Sequence, residues 1–452
     1  MLHVLRRLHT AIARDPMPVL LGLAVFALMT GWIAEVYLTT APDQRLVDLE
    51  VYRDAGISAL TGRPIYDWLT ASPQLLPFTY PPISAIFAMP LALVPLQQLG
   101  WLWTVMQMVL LLGIVAVVYR PLTRRFGRWS PIAVGAIAGL LLWELPLRDG
   151  IRFGQVDIII VALCLADYLV RSPRWPRGLL IGIATAVKLT PGVFIVHLWL
   201  SGRRREAMTA VATAIGLTLG AFLLLPADSA DFWFRALFEP DRLGANANTS
   251  NQSLRGMLLR LGLDSNLIWL ALVALVGWYG MRVAVRASRC GHDLAAIAAV
   301  GLLAVLLSPV AWIHHLAWVA IVIAVVVGDG SNRRRVVLAA GIWVLFYLKI
   351  PWWGAGLGRT PVPDILGELV EDGFGLASIA LLVVIDKLVQ ARVPPPAAAP
   401  THPPADEPVR IGQTPLEPSP RPLPGQAQPG GLGGGDDREQ SEQAAGQPAQ
   451  GR

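Results

Sequence analysis

The sequence predicts an all-α integral membrane protein, a polytopic bundle of about twelve hydrophobic helices with amphipathic helices on its outer face. Three observations predict it. Hydrophobic residues make up 54% of the 452 and charged residues 15%, against about 45–50% and about 25% in soluble domains. The apolar residues gather in runs of about 20, the length that crosses a bilayer core. Those runs lack the dyad alternation of a membrane barrel. Two cysteines exclude a disulfide scaffold. The net charge of +6 does not point to nucleic acid, because the arginines sit between apolar runs, where topology explains them.

The apolar segments are 17–38, 82–96, 101–119, 131–147, 156–170, 178–199, 206–225, 266–285, 294–310, 312–328, 335–350 and 374–391. In hydrocarbon a helix satisfies its own backbone, so each is expected to be helical. The first has no small-residue cleavage site and exceeds a signal-peptide core, so it is expected to be a mature span. Residues 1–392 form the membrane domain. Residues 393–452 hold fourteen of the 36 prolines beside Gly, Gln and Ala. Such a tail buries too little surface to offset ordering entropy and is expected to be disordered and cytoplasmic. Without its four arginines and seven acids the membrane domain carries +9.

Arginine placement orients the bundle. Arg6, Arg7 and Arg14, then Arg203–Arg205, Arg282 with Arg286 and Arg289, and Arg333–Arg335 share one side by parity. The positive-inside rule makes that side the cytoplasm of a plasma-membrane protein, with both termini there. Segments 39–81, 226–265, 309–313 and 351–373 then lie outside. Arg120–Arg128 and Arg171–Arg177 break simple parity. They return to the cytoplasm if 82–96 and 178–199 are re-entrant, and each carries prolines or a lysine as a breaker.

The outer segments hold the unusual polar residues. Val47, Val51, Ala55 and Ala59 fall on one stripe at helical spacing, which predicts a short amphipathic helix on the membrane surface. Asp48, Glu50 and Asp54 on it are either a wet face or chemistry. Tyr80-Pro81-Pro82 suits a helix start, with the tyrosine as interfacial anchor. Arg152 through Asp157 opens the fifth segment, either as a phosphate-holding helix N-terminus or as a plain cap by Asp157. Lys188 stands inside an apolar run, where a cation is costly and marks a functional site unless it snorkels. Pro191 should open the helix beside it. Asn251 and Gln252 are amides suited to sugar hydroxyls. Trp312-Ile313-His314-His315 places two histidines side by side, so one is expected to face a given site. A two-His metal pair at i, i+4 is absent. Neither a Gly-rich phosphate loop nor a nucleophile elbow occurs, and no ATP motif is present to power a pump.

Asp48-Leu49-x-Val51-Tyr52, Tyr80-Pro81-Pro82, Gly154-Gln155, Lys188-x-x-Pro191, Asn251-Gln252-Ser253 and Ser308-Pro309-x-x-Trp312-x-His314-His315 together resemble glycosyltransferase family 87. These are integral-membrane enzymes of the GT-C class, and the nearest type is the actinobacterial polyprenol-phosphate-mannose-dependent α-1,2-mannosyltransferases. The resemblance covers about residues 15–392. Asp157 departs from it, standing where an amide or small polar residue is more usual.

The resemblance implies a GT-C-type bundle that transfers mannose, with inversion, from polyprenyl-phosphate-mannose to a mannosylated glycolipid at the outer face. It implies Asp48 as general base, with Glu50 and Asp54 its neighbouring rivals. Lys188, His314, His315 and Arg152 are the candidates for the donor phosphate. Tyr52, Tyr80, Gln155, Asn251, Gln252 and Trp312 are those for sugar or acceptor. No cofactor is expected, and no metal, because the outer loops add no carboxylate cluster to Asp48-Leu49-Glu50. The partners expected are the lipid donor, the glycolipid acceptor and membrane lipids, not nucleic acid. A lipid-phosphate-arabinose-dependent arabinofuranosyltransferase is the nearest alternative. A secondary transporter and a non-catalytic envelope scaffold are the others, the first disfavoured by the lack of an inverted repeat.

Overall fold

Apolar runs close their backbone hydrogen bonds within themselves, and the fold follows from where each run can no longer do so. The computed structural model describes residues 15–170, 172–239, 242, 244–357 and 364–391. The proposed tail, 393–452, and Arg6, Arg7, Arg14 and Arg171 lie outside these. Among the described residues every regular element is helical. The sole extended pairings are the isolated bridges Leu69–Pro77 and Asn251–Trp312.

The first apolar run is bent into α1 (Met17–Met29) and α2 (Trp32–Thr39), 41° apart. The predicted amphipathic helix follows as α3 (Val47–Thr61), and α4 (Pro82–Ala92) packs along it. After α5 (Leu96–Val118) and the single turn α6 (Arg120–Thr123), α7 (Ser130–Leu141) turns by 81° into α8 (Leu145–Phe153). Then come α9 (Asp157–Leu169), α10 (Leu179–Val187), α11 (Gly192–Leu200), α12 (Arg204–Leu224) and α13 (Pro226–Phe234). The C-terminal half comprises α14 (Leu254–Arg260), α15 (Asn266–Arg289), α16 (Asp293–Leu306), a 3-10 segment Ile313–Trp318 continuing as α17 (Val319–Val327), and α18 (Arg333–Tyr347). It closes with α19 (Ile350–Leu357), α20 (Asp364–Glu371) and α21 (Gly373–Gln390).

Each of the twelve apolar segments contains helix, but several are interrupted and their lengths differ from the expectation of uniform spans. α5, α12, α15 and α21 are long and apolar enough to cross a membrane, and counting each bent pair as one span raises the number to seven. α4 has 11 residues, or about 16 Å at about 1.5 Å each, half of a bilayer core. The run 178–199 is cut at Lys188–Pro191, as Pro191 predicts, because proline lacks the N–H that would continue the ladder.

α16 and α17 form the centre. Every residue from Ala295 to Leu306 and from Val319 to Val327 is buried, as befits helices apolar all round. The outer helices leave large apolar side chains bare, among them Leu102, Val105 and Val109 on α5 and Leu267, Leu270 and Trp278 on α15. Glycines set the closest crossings, the usual device where lipid gives no hydrophobic drive between helices. At α3–α4, a Cβ on Gly56 would stand 2.4 Å from the Ala88 carbonyl oxygen.

The buried face of α3 is wider than the predicted stripe. Leu49, off the predicted stripe, is fully buried together with Val47, Val51, Tyr52 and Ala55. Protein covers this side of the helix: α4, α5 and α8 pack on it.

Gly56→Val should overpack the α3–α4 crossing by about 1–3 kcal/mol. A lowered unfolding temperature of the detergent-purified protein is the expected result; an unchanged one would mean the helices do not meet there.

Candidate active site

Leu46, one step before α3, adopts a left-handed backbone with φ 55°, a conformation that costs a residue with a Cβ about 1–3 kcal/mol. Its N–H bonds the Arg152 carbonyl oxygen at 2.7 Å, and its side chain reaches to Gly100 and Gly154. This wedge aims the first turn of α3, and Asp48 within it, at the end of α8. Gly154 ends α8 with φ 75°. A Cβ there would meet that of Leu49 at 2.7 Å, so both the turn and the approach to α3 require glycine. The next residue, Gln155, is thereby delivered beside Asp48.

Tyr52 donates to Gln155 Oε1 at 2.8 Å and Tyr80 to the same oxygen at 3.3 Å, with the two hydroxyls 3.0 Å apart. With its oxygen so engaged, the Gln155 amide turns its N–H groups toward Asp48. Burial pushes the Asp48 carboxyl up to about 7, against the pull of the Gln155 amide and of the Lys188 ammonium. α3 is not among the span-length helices.

Lys188 sits in the break between α10 and α11 with extended backbone. Its Nζ donates to Asp157 Oδ1 at 2.8 Å and lies 5.6 Å from the Tyr80 ring centroid. Asp157 begins α9 but does not cap it, which corrects the plain-cap expectation: Oδ1 holds Lys188, and Oδ2 has no partner among the described residues. Breaking such a buried pair is expensive because the remaining charge has nowhere to go.

These groups open onto a cavity of 1120 Å³. Asp48, Tyr52, Tyr80, Gln155, Lys188, Trp312 and His315 line it. Glu50 and Asp54 do not; Asp54 stands 3.9 Å from Arg53. Of the two histidines one faces the cavity, as side-by-side placement implies. His314 is buried behind it, edge-on to Phe153 and to His315, and its Nε2 lacks a partner among the described residues. Arg152 is also outside the lining and lies over Phe153.

Asn251 and Gln252 lie outside the cavity lining. Both are fully buried, and their amides are taken up inside the protein. Asn251 Oδ1 accepts from the Ala311 and Ser253 N–H groups, and Nδ2 donates to the Asn246 carbonyl. Gln252 Nε2 donates to the Thr249 and Glu371 carbonyls, and Oε1 accepts from Gly375 N–H. Each side-chain polar atom of the pair is thus engaged within the protein. The pair clamps the 246–253 loop to 309–312 and to α21, and so holds Trp312 at the cavity.

Some residues were missed in the sequence. Tyr66, Trp68 and Arg242 line the cavity, Arg242 donating to the Tyr66 carbonyl at 2.6 Å. They come from loops without periodicity, so nothing in the pattern singles them out. Glu144, at the α7–α8 bend, is wholly buried, with no partner for either oxygen among the described residues. An acid ending an apolar run was a legible signal. Finally, Asp157, His314 and His315 bring one ligand atom each within 4.8 Å of one another, a grouping that the absent i, i+4 spacing did not suggest.

A sequence model of glycosyltransferase family 87 matches residues 78–309. A polyprenol-phosphate-mannose-dependent α-(1-2)-phosphatidylinositol mannoside mannosyltransferase of Mycobacterium tuberculosis is 30% identical over 390 residues, 78% of this chain and 90% of the relative. The chain belongs to glycosyltransferase family 87. A Mycolicibacterium smegmatis protein of the same description is 30% identical over 81% of this chain and 90% of its own length. A phosphatidylinositol pentamannoside mannosyltransferase of M. tuberculosis is 34% identical over 68% and 72%. No solved structure matches. The matched stretch contains Tyr80, Gln155, Asp157 and Lys188, and the alignments with the relatives extend well beyond it.

Lys188→Met should destabilise the family 87 fold by about 3–5 kcal/mol by stranding Asp157. Pairing it with Asp157→Asn should recover most of that loss. Thermal unfolding of both single variants and the double variant checks this; strictly additive losses would mean the two groups act separately.

Proposed function

We propose that this membrane enzyme transfers mannose from polyprenyl-phosphate-mannose to a lipid-linked mannoside of phosphatidylinositol mannoside or lipomannan type, forming an α-1,2 linkage with inversion. The observation that carries the proposal is one cavity in which a carboxylate of near-neutral pKa shares space with a lysine and a histidine. The family and the names of the mycobacterial relatives support the donor and the acceptor class.

A sugar hydroxyl is a poor nucleophile. Asp48 accepts its proton while the oxygen attacks the anomeric carbon and the phosphate departs with the bonding electrons. General-base assistance of this kind is worth about 10²–10⁴-fold, most when the base titrates near working pH. A phosphate leaving group needs charge stabilisation more than a proton, so a second carboxylate of the glycosidase kind is not required. Lys188 and His315 serve that phosphate. Tyr52, Tyr80, Gln155 and Trp312 hold sugar or acceptor, and Tyr52 with Tyr80 also fixes the amide beside Asp48. The Asp48-Leu49-Glu50 spacing binds no metal in this scheme, because Glu50 is outside the cavity.

We assign the cavity to the outer face of a twelve-segment GT-C-type bundle with both termini cytoplasmic. The supporting observation is that its lining comes largely from 48–81, 237–244 and 308–315, segments opposite the Arg203–Arg205, Arg286–Arg289 and Arg333–Arg335 clusters.

Asp48→Asn should lower transfer of labelled mannose in proteoliposomes by about 10²–10⁴-fold, and near-normal transfer would refute the assignment. Because the base works deprotonated, wild-type kcat/KM should fall about tenfold per pH unit below about 7 and level off above it. A flat profile from pH 5.5 to 8 would count against Asp48, those limits being about 1–1.5 units either side of its titration.

A further inference from the structure

The donor-phosphate reading uses Lys188 and His315 and leaves two atoms behind them unexplained. Asp157 Oδ2 and His314 Nε2 are buried and without hydrogen-bond partners among the described residues. Residual exposure is 8% for Asp157 and 6% for His314. An orphaned carboxylate oxygen and an orphaned imidazole nitrogen are each costly in a dry interior. Here the ligand atoms of both residues, with that of His315, lie within 4.8 Å of one another. A second cavity of about 10 Å³ touches Asp157, Thr190, Pro191 and His315 but not His314, room for one atom-sized guest beside the carboxylate and one imidazole. His315 lines both spaces.

We propose that Asp157, His314 and His315 bind a divalent transition-metal ion of the Zn²⁺ class. The donor set decides the class. Two imidazoles and one carboxylate suit Zn²⁺ and leave a coordination position open, whereas Mg²⁺ and Ca²⁺ prefer all-oxygen shells. Nitrogen and oxygen donors on one such ion stand about 2.0–2.1 Å from it and so no more than about 4.2 Å apart. Binding therefore draws the three side chains inward by about an ångström, within reach of small side-chain rotations. The Lys188 ammonium does not compete for the ion. It occupies Asp157 Oδ1 and leaves Oδ2 free, the arrangement in which an outer partner orients a ligating carboxylate. The His314 and His315 rings are neighbours, their centroids 4.7 Å apart, and Phe153 packs on the His314 ring.

The inference goes beyond the transfer reading and does not need it. An ion there would add positive charge behind the wall of the cavity that carries Lys188 and His315.

The test uses the full chain, purified in detergent through a tag without histidine, stripped with chelator and titrated with Co²⁺. The expected result is a visible ligand-field absorption that saturates at one ion per chain and is displaced by one equivalent of Zn²⁺. This wild-type measurement does not depend on any variant folding. Asp157→Asn and His314→Gln should each weaken Co²⁺ binding beyond the about 10–100-fold that loss of an outer partner causes. No saturable absorption in the wild type would overturn the proposal and assign the small cavity to water. An unchanged titration in both variants would also overturn it. Asp48→Asn should leave the Co²⁺ titration as it is while lowering transfer by about 10²–10⁴-fold, so failure of the metal site and failure of the base are read separately.

Discussion

The Lys188–Asp157 ion pair is the contact on which the site is built. Two charges taken out of water survive only beside each other, so the break after α10 and the start of α9 must meet. Once they meet, Tyr80 lies against the Lys188 ammonium, and Gln155, two residues before Asp157, falls within reach of Tyr52 and Tyr80. Asp48 then faces the same space from α3. A buried pair of this kind adds little net stability compared with apolar packing, but it tolerates few alternative arrangements, which suits a site that must hold its geometry.

Interrupted helices do the rest. In hydrocarbon, a broken backbone persists where protein or a cavity covers it. The breaks at Gly154–Val156, at Lys188–Pro191 and at 307–312 all border the large cavity or its immediate wall. Each has a local cause: glycine in the left-handed region, proline without its N–H, and proline again at 309. The left-handed Leu46 adds a fourth irregularity, held by Arg152 and packed against Gly100 and Gly154. Strain and interruption thus gather where the polar groups gather.

The Asn251–Gln252 clamp shows how the same residue type changes role with burial. Exposed in a loop, an amide is a good partner for sugar hydroxyls. Buried, it must satisfy its own donors and acceptors first, and here backbone groups from 246, 249, 253, 311, 371 and 375 engage each of the side-chain polar atoms. The consequence for function is indirect: the clamp positions Trp312, which reaches the cavity, and with it the 3-10 turn that carries both histidines.

Composition, run length and the lack of dyad alternation determined that this is a helical membrane protein, because helices and closed barrels are the structures that satisfy a backbone in hydrocarbon. Local chemistry also determined the break at Pro191 and the oddity of Lys188, and the order of short motifs pointed to the family that the comparisons bear out. Residue type singled out Asp48, Tyr80, Gln155 and Trp312. What the sequence could not contain was which polar atoms remain unpaired after packing. That separated His315 from His314, removed Asn251, Gln252 and Arg152 from the cavity, brought in Tyr66, Trp68 and Arg242 from patternless loops, and set Asp157 beside two histidines. Partners more than a hundred residues apart decide it. Periodicity reports the face of one helix, whereas the pairing of polar atoms depends on how distant helix ends meet.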